Sequence, residues 1–218
     1  MSINNTSPRQ TIVLASGNAG KLSEMQLLLA NCNFDIQPQS AFDVPEAKEN
    51  GLSFVENAII KARNACRHTG CPAIADDSGL EVDALQGQPG IHSARFAGPA
   101  ASDSDNNQKL LNCLHGLTSA ERTARFRCVL VFMRHAEDPS PIICSGSWQG
   151  QILHSPVGEG GFGYDPLFYV PEVKCAASQM SKVDKSAISH RGKAMAQLLE
   201  QLQQLEQQQL LEQQRQMG

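Results

Sequence analysis

The chain is 218 residues long, 41% hydrophobic and 18% charged, with a net charge of −4, a size and balance that suit one globular domain with a buried core. Net acidity excludes a protein held on nucleic acid by bulk electrostatics, so an anionic ligand has to be met by local cations. Seven scattered cysteines, with no Cys-x-x-Cys pair, suit a reducing compartment, and no signal-like or bilayer-length apolar run is visible, so a cytoplasmic protein without membrane contact is expected.

Residues 1–10 are polar and expected to be flexible. Thr11 to Ala15 is a short β-branched run that ends in Ser16-Gly17-Asn18-Ala19-Gly20-Lys21, and a helix pattern follows with Leu22, Met25, Leu28 and Leu29 on one face. Strand, glycine loop and helix together offer backbone N–H groups and a positive helix end to a phosphate. The spacing is not that of a Walker A loop, yet Lys21 can still add a point charge. A glycine turn before a surface lysine is the plain alternative.

The spacing of Val55, Ala58, Ile59, Ala62, Ala65 and Cys66 predicts a helix over 54–68, with a capping box from Ser53 and Glu56. Glu49, just upstream, is either a solvated loop carboxylate or a ligand to a cation. Cys71-Pro72 stops the helix, and Ala73 to Ala75 predicts a strand that delivers Asp76 and Asp77 into a Ser78-Gly79 turn. Carboxylates at a buried sheet edge shift their pKa, find a cation or bind a metal, and oxygen ligands of this kind suit Mg2+. Neighbouring strand residues point to opposite faces, which divides the two aspartates between two roles. A further helix is expected over 103–114.

Arg125 to Met133 and Ile142 to Trp148 are strand-like and joined by a Pro-containing loop, which predicts a hairpin and a mixed sheet. A short separate strand is expected at Gln151-Ile152-Leu153. In Gly158 to Pro166, glycines surround Phe162 and Tyr164, so the loop Phe162-Gly163-Tyr164-Asp165 can approach a ligand closely and stack an aromatic on a nucleobase. The alternative is two aromatics covering a core edge.

Lys182, Lys185, His190 and Arg191 make a basic run in an acidic chain: His190 and Arg191 offer donors to a carbonyl oxygen, and Lys185 a charge to a phosphate, unless the run is simply a solvated helix start. From Ser186 the pattern is helical and continues into a glutamine-rich tail over 201–218, whose leucines do not sustain heptads, so a solvated helix extension is expected.

Taken in order, Ser16-Gly17-Asn18 with Lys21, Glu56-Asn57-Ala58, Ala75 to Leu80, Pro89 to Arg95, Gly161 to Pro166 and Lys185 to Gly192 resemble the inosine triphosphate pyrophosphatase family, and the matching blocks run through almost all of the chain. The resemblance implies an α/β fold with a long mixed central sheet flanked by helices. It implies one two-lobed domain over 11–200 with the nucleotide cleft between the lobes, a Mg2+ requirement and a homodimer. By motif, Asp77 would be general base and metal ligand, while Ser78, the Ser16 to Lys21 loop and Lys185 would hold phosphates. Phe162, Gly163, Tyr164 and Asp165 with His190 and Arg191 would hold the base. Where relatives often carry paired acidic residues before the capped helix, this chain has Lys48-Glu49, so Glu49 is the expected second metal ligand and Glu46 its substitute.

The expected activity is hydrolysis of a non-standard purine nucleoside triphosphate such as ITP, dITP or XTP to the monophosphate and pyrophosphate, which would cleanse the nucleotide pool. A pyrophosphatase with another base preference is the alternative enzyme. A nucleotide-binding regulator without turnover is the alternative of a different class.

Overall fold

The computed structural model describes residues 9–16, 25 and 34–217. The first apolar run forms β1 (Gln10–Leu14), which pairs in parallel with β2 (Phe34–Pro38). Helix α1 (Phe54–Thr69) starts where the sequence signals it: Ser53 Oγ accepts from the Glu56 N–H at 3.4 Å, and the Glu56 carboxylate accepts from the Leu52 N–H at 2.9 Å. There follow β3 (Ala73–Val82), α2 (Asp103–Cys113), β4 (Thr123–Met133), β5 (Ile142–Ile152), and the short strands β6 (Phe168–Val170) and β7 (Cys175–Ala176). The chain closes with α3 (Lys182–Ile188) and the long α4 (His190–Met217).

The strands form one seven-stranded sheet in the order β2-β1-β3-β4-β5-β6-β7. β1 is parallel to both its neighbours, and every other pair is antiparallel. The mixed α/β sheet and the β4–β5 hairpin therefore agree with the pattern of the sequence.

Two strand boundaries do not. β3 does not end at Ala75 in a turn; it runs for ten residues, with Asp76, Asp77 and Ser78 opposite Leu130, Val129 and Cys128 of β4. Local turn preference loses here because β4 offers an unbroken antiparallel ladder along the whole segment, and backbone groups that pair in a ladder need no turn to satisfy them. For the same reason the separate strand expected around Gln151 is absorbed into β5, which stays paired with β4 as far as Gln151↔Thr123.

Three apolar clusters cover the sheet among the described residues. Ala73 and Ala75 pack with Val13 and with Ala58, Ala62 and Ala65 of α1 on one face. Ile74 packs with Ile12, Leu14, Met25 and Leu130 and with Ala194, Leu198 and Leu202 of α4 on the other. Beyond them, Leu80, Phe126, Trp148 and Phe168 pack with Leu110 and Leu114 around α2. At the start of α4 the helix lies directly on the sheet, since a Cβ on Gly146 would stand only 1.9 Å from the His190 carbonyl oxygen. Helix α4 crosses residue 201 without a break and its Leu202 is fully buried. No helix among the described residues is long and apolar enough to cross a membrane.

Candidate active site

Strand order turns around at β1, because the chain goes from β1 to β2 on one side and then to β3 on the other. In open α/β sheets the crevice outside the carboxyl ends of the strands at such a point is where ligands bind. β1 holds β3 only at Val13↔Ala73 and Leu14↔Ile74. β3 continues past the end of β1 and carries Asp76, Asp77 and Ser78 along the crevice. Ser16, whose N–H donates to the Leu14 carbonyl at 2.9 Å, begins the expected phosphate loop at that spot; Gly17, Asn18, Ala19, Gly20 and Lys21, with the helix positions Leu22, Leu28 and Leu29, lie outside the described residues.

Strand alternation puts Asp77 on the α1 face. Its Oδ2 accepts from Asn57 Nδ2 at 3.2 Å and its Oδ1 lies 3.6 Å from Lys61 Nζ. Lys61 in turn lies 3.4 Å from Glu49 Oε2. Asn57 also fixes the loop that bears Glu49, since its Oδ1 accepts from the Gly51 N–H at 2.9 Å. Asn57 and Lys61 are one helical turn apart, so a single face of α1 gathers both carboxylates. Asp77 is only 8% exposed. Burial pushes its carboxyl group above the usual aspartate range, against the opposing pull of Lys61 and the Asn57 hydrogen bond.

Two carboxylates that converge on one ammonium form a place for a positive charge. Mg2+ takes one or two carboxylates and completes its shell with water and substrate phosphate, so Glu49 and Asp77 fit that ion. Among the described residues no larger group of acidic, histidine or cysteine side chains gathers anywhere. Glu46 and Glu49 are both exposed, and it is Glu49 that reaches Lys61.

On the α4 face, Ser78 Oγ donates to Asp76 Oδ2 at 3.4 Å, and Arg191 Nη2 approaches Ser78 Oγ at 3.5 Å. Arg191 also has its guanidinium carbon 5.8 Å from the centroid of Phe162. One arginine thus spans from β3 to the aromatic loop. His190, next to it, is buried and stacks on Phe126 with centroids 4.9 Å apart and planes 14° apart.

The loop residues separate by role. The Phe162 ring is 55% exposed and lies under Lys185 Nζ, 4.9 Å from its centroid. Tyr164 and Asp165 instead turn inward. Tyr164 donates its hydroxyl to the Ser93 carbonyl at 2.8 Å, and burial raises its pKa. Asp165 accepts from the Phe162 N–H at 2.9 Å and pairs with Lys185. The structure therefore brings Ser78, Arg191, Phe162, Lys185 and Asp165 into one chain of contacts, and Asp77 and Glu49 into another on the opposite face of β3.

Asn57 and Lys61 were absent from the site expected from sequence. Their signal was faint but present: Ala58, Ala62 and Ala65 mark the line along which α1 touches the sheet, and Asn57 and Lys61 each precede a member of it. Polar residues on a helix are ordinarily assigned to solvent, so the apolar spacing that marks the helix leaves Asn57 and Lys61 out, while Val55 and Ile59 of that spacing are only partly buried.

The Ham1 family profile matches residues 12–201. The dITP/XTP pyrophosphatase of Thioalkalivibrio sulfidiphilus is 60% identical over 192 residues, covering 88% of this chain and 98% of that protein. The dITP/XTP pyrophosphatase of Idiomarina loihiensis is 59% identical over 198 residues, covering 89% and 98%. Among solved structures, a HAM1 protein from Coxiella burnetii superposes with a TM-score of 0.86 at 48% identity, over 89% of this chain and 99% of that one. The Staphylococcus aureus Ham1 protein superposes with a TM-score of 0.82 at 39% identity, over 89% and 98%.

Proposed function

The chain belongs to the Ham1 family, and from that membership we propose that it hydrolyses non-standard purine nucleoside triphosphates of the ITP, dITP and XTP type to the nucleoside monophosphate and pyrophosphate. The observation that carries the reading is the buried Asp77 at the crevice beyond β1, sharing Lys61 with Glu49. A carboxylate held on a strand at the ligand crevice is suited to orient a water and take its proton.

In this reading a water attacks the α-phosphorus, the new P–O bond forms as the bridging bond to the β-phosphate breaks, and pyrophosphate leaves with that electron pair. Asp77 orients the water and receives its proton. Glu49 and Asp77 would hold Mg2+, which when bound neutralises charge along the triphosphate. Lys61 balances whichever carboxylate charge remains. Ser16, Gly17, Asn18, Ala19, Gly20 and Lys21 cradle the phosphates with Ser78, and Lys185 adds charge from the loop side.

The base stacks on Phe162 within reach of Arg191. The guanidinium donates to a 6-keto oxygen, which the 6-amino group of adenine cannot accept, and an unpaired buried donor makes that rejection strong. His190, held flat against Phe126, fixes the start of α4 and with it the direction of Arg191. We further read the protein as a cytoplasmic homodimer, with one two-lobed domain over 11–200 about this cleft and a helical tail over 201–218. Incubation with ITP and Mg2+ followed by 31P NMR tests the reaction: pyrophosphate and nucleoside monophosphate support it, whereas inorganic phosphate with the nucleoside diphosphate, or turnover indifferent to EDTA, contradicts it.

A further inference from the structure

Phe162 sits in a loop rich in glycine, and something must hold its ring in place. Gly158, Gly161 and Gly163 all have φ in the left-handed region, at 77°, 79° and 60°. A loop of this composition has many competing conformations and loses more entropy than most when it is ordered. Asp165 holds the Phe162 N–H and Ser178 packs against Gly158 and Gly160 on one side of the loop, but on the side facing α2 packing is open: a cavity of about 360 Å3 lies there, lined by Asp103, Asn107 and Leu111 and by Gly161 and Phe162.

Two side chains of α2 reach across. Asp103 Oδ2 accepts from the Gly163 N–H at 2.6 Å, and Asn107 Nδ2 donates to the Gly163 carbonyl at 2.9 Å. They stand four residues apart on one helix face and take hold of both polar groups of a single residue, the one that follows Phe162. Neither is needed to end the helix. That role belongs to Ser102 and Asp105, whose reciprocal hydrogen bonds form the cap. Asn107 Oδ1 is left buried with no hydrogen-bond partner among the described residues, a cost that the aim of its amide at Gly163 explains.

We propose that Asp103 and Asn107 are positioning residues that clamp Gly163 and thereby hold the Phe162 ring where a purine stacks. The proposal rests on the substrate reading above. The clamp acts on a ring, so its loss weakens binding of every purine triphosphate and leaves the chemistry at Asp77 untouched. Asp103→Ala is expected to raise KM for ITP about tenfold, a difference of about 1.4 kcal/mol, with kcat within about twofold, since the hydrogen bond to Gly163 is charge-assisted but exposed and acts on the ring only through the loop. Asn107→Ala is expected to raise KM by a smaller factor in the same direction. Asp103→Asn keeps an acceptor oxygen and is expected to recover most of the loss.

The decisive comparison is made in a Phe162→Ala background, where Asp103→Ala should change KM no further. Amide hydrogen exchange at Phe162 and Gly163 supplies a readout independent of turnover and should accelerate at least tenfold in Asp103→Ala. Unchanged exchange in that variant overturns the clamp whatever the enzyme does. Faster exchange with an unchanged KM, or a KM effect that persists in the Phe162→Ala background, overturns the positioning role. If Asp103→Ala does not fold, Asn107→Ala carries the same comparison, alone and in the Phe162→Ala background, with exchange at Gly163 and Phe162 as its readout. Absence of ITP turnover in the wild type overturns the substrate reading instead.

Discussion

Replacing Asp77 by Asn removes a charge and a proton acceptor while keeping shape, so activity and stability should move in opposite directions. The amide oxygen can still accept from Asn57, and Lys61 keeps Glu49 at 3.4 Å. Loss of a general base costs about 10²- to 10⁴-fold in turnover, or about 3–5 kcal/mol in the barrier, while nucleotide continues to bind. Stability follows from the direction of the pKa shift. Because burial raises the Asp77 pKa in the folded state, the folded protein prefers the neutral acid. Its stabilising contribution is full below the ordinary aspartate pKa of about 3.9 and is lost as pH rises through the raised value. At pH 8 the wild type therefore carries a buried charge that the amide variant lacks. A relief of about 1 kcal/mol, typical where a functional group is removed from a site, raises Tm by about 2–4 °C for a chain of this size. Thermal melts at pH 8 and pH 4, beside pyrophosphate release, test both halves. The Tm gain should shrink at pH 4. Near-normal turnover would remove Asp77 as the base, and a lower Tm at pH 8 would show that the Lys61 attraction outweighs burial.

Other substitutions probe the rest of the cleft. Phe162→Ala should weaken binding of ITP, XTP and dITP alike by about 1–3 kcal/mol, the scale of base stacking on an aromatic, with little change in Tm because the ring is 55% exposed; equal KM values would refute the stacking. Arg191→Lys removes the planar fork and should narrow the ratio of kcat/KM for ITP over ATP, and an unchanged ratio would mean that another group reads the keto oxygen. Gly146→Ala should cost at least about 1–3 kcal/mol, since its Cβ meets the backbone of His190 at 1.9 Å and of Ala194 at 3.0 Å. The displaced start of α4 should then also raise KM for ITP, and a neutral effect on both measurements would contradict the close packing there.

Helix α1 and the β4–β5 hairpin were legible because their signals are local: a Ser-x-x-Glu cap before regularly spaced apolar residues, and two β-branched runs flanking prolines. The course of β3 was not. Asp-Asp-Ser-Gly favours a turn by itself, and only the neighbouring strand, some fifty residues later in sequence, turns it into ladder. Strand alternation did separate Asp76 from Asp77 from sequence alone, and the structure puts them on the α4 and α1 faces. What escaped were residues whose importance depends on distant partners. Lys61 looks like an ordinary helix lysine until Glu49 and Asp77 are seen around it, and Asp103 looks like a helix-start acid until Gly163 meets it across 60 residues of chain. The glycines that announce the aromatic loop say that it can approach a ligand, but not what holds it still.

Pyrophosphate release measured as kcat/KM for ITP, XTP and dITP beside ATP, GTP and dUTP, with and without Mg2+, tests the central claim most directly. The cleft built from Asp77, Phe162 and Arg191 predicts Mg2+-dependent turnover with the three keto purines at least a hundredfold ahead of ATP, since a donor left without its acceptor costs about 2–3 kcal/mol or more. Comparable values for ATP and ITP, or a preference for dUTP, would contradict it.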